Sequence, residues 1–340
     1  MPSPSHAAIP PSPDLFFRTV NAYQQTEAIK AAVELELFTA IAEGNRSALE
    51  LAKRCKATEK GVRVLCDYLT VHGFLEKRDG RYALTADSGA FLDKRSPKYA
   101  GGAIGFLLSP AQRQAYENLA DVVRKGGTLM KGLGSVEPEN PIWQDFARSM
   151  VPLMVPAAEG IADALGLGDR NVKVLDIAAG HGLFGITIAR RNPNAEIYAV
   201  DWDSVLAIAT EHAQAAGVMQ RYHIIPGSAF EVEFGTGYDV ALLTNFLHHF
   251  DAATNETLLR KINAALKPDG AVATLEFIPN EERVTPPVAA AFALMMLGGT
   301  AHGDAYVFSE YETMFRNAGF SRNEMREMPP TPQRLILSWK

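Results

Sequence analysis

From Val172 onward, short runs of strand pattern alternate with helical pattern, and this order leaves few folds open. Residues 172–177, 196–200, 222–226, 238–244 and 271–277 read as strands, being rich in Val, Ile, Leu and Tyr. Between them, residues 183–191, 204–216 and 252–266 carry apolar positions at helical spacing. Alternation of this kind predicts a parallel sheet with crossover helices. Lys267-Pro268-Asp269-Gly270 should stop the third of these helices. Ser309 with Glu312 suggests a capping box for a helix reaching Ala318. Residues 323–328 and 334–339 would close the sheet as a terminal hairpin, bringing it to seven strands.

The first turn of this unit is the most informative stretch. Val174-Leu175-Asp176-Ile177 ends a strand, and Ala178-Ala179-Gly180-His181-Gly182 leads into a helix that includes Gly185. Glycine lets a ligand approach the backbone closely because it has no Cβ. The helix start offers free N–H groups and a partial positive charge. Gly180-x-Gly182-x-x-Gly185, with Asp201 25 residues beyond Asp176, fits a nucleoside-bearing cofactor over the first two strands. The glycines alone do not choose between NAD and S-adenosylmethionine. Asp176 favours the latter, since a carboxylate there can accept from a methionine ammonium and would sit poorly against a pyrophosphate.

The N-terminal part is different. Residues 16–42 read as one long amphipathic helix. Ser47 should cap a short helix through Arg54, and Thr58 a second over residues 59–71. Two short strands around Asp79-Gly80 then predict a hairpin. Helix, helix and hairpin outline a winged helix, which raises DNA binding. Against it, residues 1–100 hold 14 Lys/Arg and 12 Asp/Glu, little charge for a polyanion, and the second helix is mostly packing residues. Residues 1–14 form a Pro- and Ser-rich arm expected to be flexible, 15–100 a winged-helix-like dimerisation domain, 101–168 a helical linking region expected to contribute to the substrate pocket, and 169–340 the cofactor domain.

Charge and composition exclude several classes. The formal charge of -6 argues against a protein that coats nucleic acid. The longest apolar run, residues 288–299, is too short to span a bilayer. Cys55 and Cys66 can make no disulfide framework, and no ligand cluster suggests a metal. Reduced cysteines suit the cytoplasm.

The alternating half resembles a class I methyltransferase, and nearly the full chain resembles the small-molecule O-methyltransferases typified by caffeate and hydroxyindole O-methyltransferases. That resemblance implies a Rossmann-like domain with a seven-stranded, mostly parallel sheet, S-adenosylmethionine as cofactor, and a homodimer through the N-terminal domain. The family's loop is usually Asp-x-Gly-Gly-Gly-x-Gly. Asp176, Gly180 and Gly182 match, while Ala178 and Ala179 replace two glycines. Asp201 matches the acid that holds both ribose hydroxyls, and Trp202 would flank the adenine. Where the family has Gly-Asp-Met-Phe, this chain has Gly227-Ser228-Ala229-Phe230. Asn245 follows the fourth strand among the cofactor residues.

His248 aligns with the family's general base, and histidine's ordinary pKa suits proton removal from a phenol. Glu276 matches one of two glutamates that orient the base. No acid matches the second, where Tyr306 and Val307 stand with Asp304 nearby, and Thr244 replaces an expected lysine. Phe146 and Met150 match the family's Phe and Met pocket pair. With Trp143, Met154, Phe292 and Met296 they imply an apolar aromatic or polyketide-like substrate, and Tyr306 would add a polar contact. Three alternatives remain at this level: non-methyl-transfer chemistry on the same cofactor, a small-molecule-sensing DNA-binding regulator, and an NAD-dependent oxidoreductase.

Overall fold

The computed structural model describes residues 11–340, and the chain divides into two compact units after Gly102. The expected flexible arm falls mostly on residues 1–10, outside the described residues, and helix α1 already begins at Asp14.

In the first unit the single helix expected over residues 16–42 is three: α1 (Asp14–Val20), α2 (Ala22–Glu34) and α3 (Leu37–Ala42). Glu36 adopts φ 53 between the last two. Apolar periodicity carries across such a break unchanged, so the pattern could not reveal it. Helix α4 (Ala48–Arg54) starts with a capping box, in which Glu50 N–H donates to Ser47 Oγ and Ser47 N–H donates to Glu50. Thr58 caps α5 (Glu59–Val71). Strands β1 (Leu75–Arg78) and β2 (Arg81–Leu84) pair antiparallel, turning at Asp79 and Gly80, both with positive φ as a two-residue hairpin requires. Thr85 caps α6 (Ala86–Phe91). Leu37, Phe38, Leu51, Val62, Cys66, Leu69 and Tyr82 form the core. Leu15, Phe16, Phe17, Val20 and Tyr23 stand exposed on α1 and α2.

The second unit opens with α7 (Ile104–Leu107), α8 (Pro110–Glu117), α9 (Leu119–Lys125), α10 (Ile142–Ser149) and α11 (Val151–Leu165). Strands β3 (Val172–Ile177), β4 (Ala195–Asp201), β5 (Tyr222–Pro226), β6 (Tyr238–Thr244) and β7 (Leu266–Glu276) follow, joined by α12 (Leu183–Arg191), α13 (Asp203–Ala215) and α14 (Ala252–Ala265). Then come α15 (Pro287–Gly299), α16 (Phe308–Asn317), β8 (Arg322–Glu327) and β9 (Arg334–Trp339). The sheet has seven strands in the order β5-β4-β3-β6-β7-β9-β8; β9 runs antiparallel to both neighbours, and the remaining pairs are parallel. The cap of α16 differs from expectation: Glu310 accepts from Val307 N–H, and Ser309 lies inside the first turn, bonded to Glu281.

The helices at residues 104–165, read from sequence as a linking region, complete a core of the cofactor domain. Phe106, Ile142, Met150, Met154 and Ile161 pack with Val172, Val174, Phe184 and Ile197 on one face of the sheet. Leu175, Ile177, Leu258, Tyr311 and Phe315 fill the other. From β3 the chain winds outward to β5, then returns to place β6 on the other side of β3. That reversal opens a crevice beyond the carboxyl ends of the strands, where ligands of open α/β sheets bind.

Candidate active site

A cavity of about 970 Å³ occupies this crevice. The ends of the strands form its floor, and α10, α11 and α15 with the segments around residues 106–116 and 133–138 supply its walls.

At the end of β4, Asp201 lines the cavity and is half-buried. One carboxylate oxygen accepts from Gly180 N–H at 2.8 Å and the other from Trp202 N–H at 2.7 Å. Each oxygen keeps a further lone pair for a ligand hydroxyl. Burial pushes this carboxyl up to about 6, although both N–H bonds favour the charged form. Trp202, Gly227, Ser228, Ala229 and Phe230 continue the lining, and Ser228 Oγ accepts from Phe230 N–H at 3.3 Å. Phe246 and Phe250 join Phe230 in an aromatic cluster with ring centres 5.0 to 6.4 Å apart.

Asp176 is not where its expected ammonium contact requires. In β3, Val172, Val174 and Asp176 face one side of the sheet while Leu175 and Ile177 face the other, as strand alternation dictates. The carboxyl is therefore fully buried beneath the glycine loop, accepts from Gly185 N–H at 3.1 Å, and does not line the cavity. Burial raises it to about 8. Gly182 is likewise outside the lining; a Cβ there would come within 2.7 Å of Tyr222 Oη, so this glycine serves packing under the loop. Gly180 and Ala178 present the backbone to the cavity, both with positive φ.

After β6 a single 3-10 turn, Leu247–His249, carries two imidazoles. The parallel register of β6 with β7 sets Thr244 opposite Leu275, which brings Glu276 beside this turn. One Glu276 oxygen accepts from Phe246 N–H at 2.9 Å and Leu247 N–H at 2.8 Å; the other meets His248 Nδ1 at 2.5 Å. Glu276 is wholly buried and does not line the cavity, whereas the His248 ring does, with Nε2 left over. Gly303 passes so close that a Cβ would lie 2.3 Å from the His248 carbonyl, and Asp304 N–H donates to that carbonyl at 3.0 Å. The Asp304 carboxylate itself turns to Arg283, 3.3 Å away. The second acid of the family pattern thus has no counterpart on the imidazole.

Asn245, at φ 55, lines the cavity; its Nδ2 donates to Met154 Sδ at 3.8 Å and its Oδ1 accepts from Gln333 at 3.4 Å. Trp143, Phe146, Met150, Met154, Phe292 and Met296 all line the walls. Phe292 stacks on Phe277 at 4.1 Å and meets the His248 ring edge-on at 4.8 Å. Phe146 stacks on His181, which burial holds down at about 3. Tyr306 is the exception among the expected pocket residues. It lies outside the lining because its hydroxyl donates to the Phe250 carbonyl at 2.7 Å, bracing the loop after the imidazoles.

Sequence reading passed over Phe246, His249, Phe250 and Phe277 as pocket residues. The first three bracket His248 within one short loop after a strand, a signal that was available. Phe106, Gln112 and Tyr116 also line the cavity, but their helices carry no pattern that marks them.

The residues present fit S-adenosylmethionine: a carboxylate with lone pairs to spare at the second strand end, a backbone cradle at Gly180, and an aromatic slot at Trp202 and Phe230. Fold and site define an S-adenosylmethionine-dependent methyltransferase. Residues 166–321 match the O-methyltransferase domain and residues 17–94 the O-methyltransferase dimerisation domain. A protein of Nostoc punctiforme assigned to the O-methyltransferases shares 53% identity and superposes with TM-score 0.95, over 97% of this chain and 100% of that one. The chain belongs to the O-methyltransferase family. The 3-hydroxy-5-methyl-1-naphthoate 3-O-methyltransferase of Streptomyces sahachiroi is 27% identical over 91% of this chain and 90% of its own. Human N-acetylserotonin methyltransferase, solved with S-adenosylmethionine, shares the fold at TM-score 0.85 and 21% identity, covering 98% and 99% of the two chains. These relatives are methyltransferases rather than oxidoreductases or DNA-binding regulators. No helix among the described residues is long and apolar enough to cross a membrane.

Proposed function

We propose that this enzyme methylates a hydroxyl of an aromatic or polyketide-like small molecule, with His248 as general base. When bound, S-adenosylmethionine supplies an electrophilic methyl group on a sulfonium, and transfer leaves S-adenosylhomocysteine. Asp201 takes the ribose hydroxyls, Trp202 and Phe230 hold the adenine with Ser228 and Ala229 at its edge, and Asn245 with the backbone at Ala178 and Gly180 faces the amino-acid end. Asp176 and Gly182 act from beneath, by fixing the loop.

His248 Nε2 takes the acceptor's proton. Glu276 on Nδ1 keeps Nε2 unprotonated beforehand and stabilises the imidazolium afterwards. One carboxylate suffices for this, because it is desolvated and anchored by two backbone N–H groups. The walls then orient the ring, which is most of what an already activated methyl donor asks of a protein. The Streptomyces sahachiroi relative's naphthoate supports an aromatic acceptor. The exposed face of α1 and α2, at the start of the matched dimerisation domain, supports a homodimer. Arg54, Arg63, Lys77, Lys94 and Arg95 in that unit are each engaged by carboxylates, which supports a protein surface rather than a nucleic-acid one. The unpaired thiols of Cys55 and Cys66 support a cytoplasmic setting.

The observation that carries the reading is the buried Glu276 carboxylate on the imidazole at the cavity floor. His248→Ala should lower single-turnover methyl transfer about 10²- to 10⁴-fold, with cofactor affinity by calorimetry within about twofold. Full activity in that variant would remove His248 from the chemistry.

A further inference from the structure

The acceptor's own chemistry is constrained by two features of the cavity, given the reading above that an aromatic hydroxyl enters it. The first is its charge. Among the described residues the lining holds Asp201, Glu231 and two imidazoles, and no Lys or Arg. A carboxylate or phosphate carried to the floor would lose its water and find no cationic side chain, the costly case for a buried ion. The cofactor's sulfonium is itself neutralised once the methyl is transferred. It would also face the negative Glu276 behind His248.

The second feature is His249. Its ring lines the cavity beside the base, with the two imidazole centres 4.2 Å apart, and packs edge-on against Trp143 at 5.1 Å. The residue is 7% exposed, and its Nδ1 is buried with no hydrogen-bond partner. A buried acceptor tolerates that state better than a buried N–H does, so the ring proton belongs on Nε2. Burial, with His248 beside it, holds the ring far below its ordinary pKa and hence neutral. A neutral N–H donor with no partner in the protein therefore stands next to the base.

We propose that the acceptor is an arene with no charge beside its methylated hydroxyl and with a second oxygen on the adjacent carbon, a carbonyl or a hydroxyl. His248 takes the hydroxyl proton while His249 donates from Nε2 to the neighbouring oxygen. An adjacent carboxylate is rejected, because so close to the reacting oxygen it cannot reach solvent at the mouth.

Three probes separate these statements: 2-naphthol, methyl 3-hydroxy-2-naphthoate and 3-hydroxy-2-naphthoate. Their binding to protein saturated with S-adenosylhomocysteine is read by tryptophan fluorescence, after calorimetry has established that the cofactor product itself is bound. The ester should bind about five- to tenfold tighter than naphthol, the worth of one added hydrogen bond, and at least tenfold tighter than the acid. His249→Phe should erase the ester's advantage over naphthol, and His249→Gln, which keeps a donor, should retain part of it. Acid binding as tight as ester overturns the charge rule, and that comparison needs only the unaltered protein. An ester advantage that survives His249→Phe overturns the role of His249. If none of the three binds while the cofactor product does, the aromatic-acceptor reading falls and this proposal falls with it.

Discussion

The floor of the cavity and its walls are built on different principles. The floor gathers a few polar groups at strand ends, each fixed by a short backbone turn: Asp201 by Gly180 and Trp202, Glu276 by Phe246 and Leu247. The walls are apolar side chains of α10, α11 and α15 whose individual places are set by packing. A change on the floor should therefore alter one specific bond. A change in a wall should alter fit, more weakly and spread over several neighbours.

The sharpest break of this contrast is Asp201→Ala. Two hydrogen bonds to a carboxylate, each worth about 1.5–3 kcal/mol, would be lost with the ribose. Cofactor affinity by calorimetry should fall at least about a hundredfold. An unchanged affinity would mean that the floor does not hold the cofactor in the way its geometry suggests. Affinity of the unaltered enzyme should also weaken as pH drops through about 6, where Asp201 takes up a proton in the free protein.

A wall position should respond less. Phe146→Ala removes a ring stacked on His181 and edge-on to Phe106 and Trp143. Losing about 1.5–3 kcal/mol of apolar contact should raise the acceptor KM about ten- to hundredfold and leave cofactor affinity nearly as it was. A large drop in cofactor affinity instead would show that floor and walls are not separable at this point.

The buried Asp176 offers a subtler test, in stability rather than activity. Burial raises its folded pKa to about 8 and that of Asp201 to about 6, both above the ordinary carboxylate value. The folded protein thus holds protons that the unfolded chain releases. The resulting stability is complete below the unfolded pKa and is lost as pH rises through about 6 and about 8. Cofactor-free protein should melt several degrees lower at pH 9 than at pH 6, and Asp176→Asn should flatten the upper part of that fall. A melting temperature that rises across the interval would contradict both environments.

Least affected should be Tyr306→Phe, which removes one hydrogen bond to Phe250 O and costs about 0.5–1.5 kcal/mol in denaturant melts. If it instead abolished acceptor binding, Tyr306 would belong to the wall after all.

The alternation of strands and helices after Val172, the glycine loop, Asp201, His248 and Glu276 were legible because each sits at a fixed offset from a strand end. Capping residues were legible where the side chain bonds within its own turn, as at Ser47 and Thr58, and less so near Ser309, where Glu310 two residues before the expected Glu312 does the capping. The break at Glu36 was invisible because apolar spacing continues through it. Tyr306 and Asp176 lie outside the cavity lining for a shared reason. Their residue types suit ligand contact, but their direction depends on strand parity and on which backbone group lies within reach.

By itself, then, the sequence determined the class of fold and the chemical types at the cavity floor, since periodicity and loop glycines act over a few residues. Only the tertiary structure decided that the helices before the sheet share its core. It also decided that Asp176 turns beneath the loop, that Glu276 meets His248 Nδ1, and that the His249 ring lines the cavity with its Nδ1 unpartnered. Those outcomes depend on strand register and on packing between segments far apart in the chain, which no local pattern encodes.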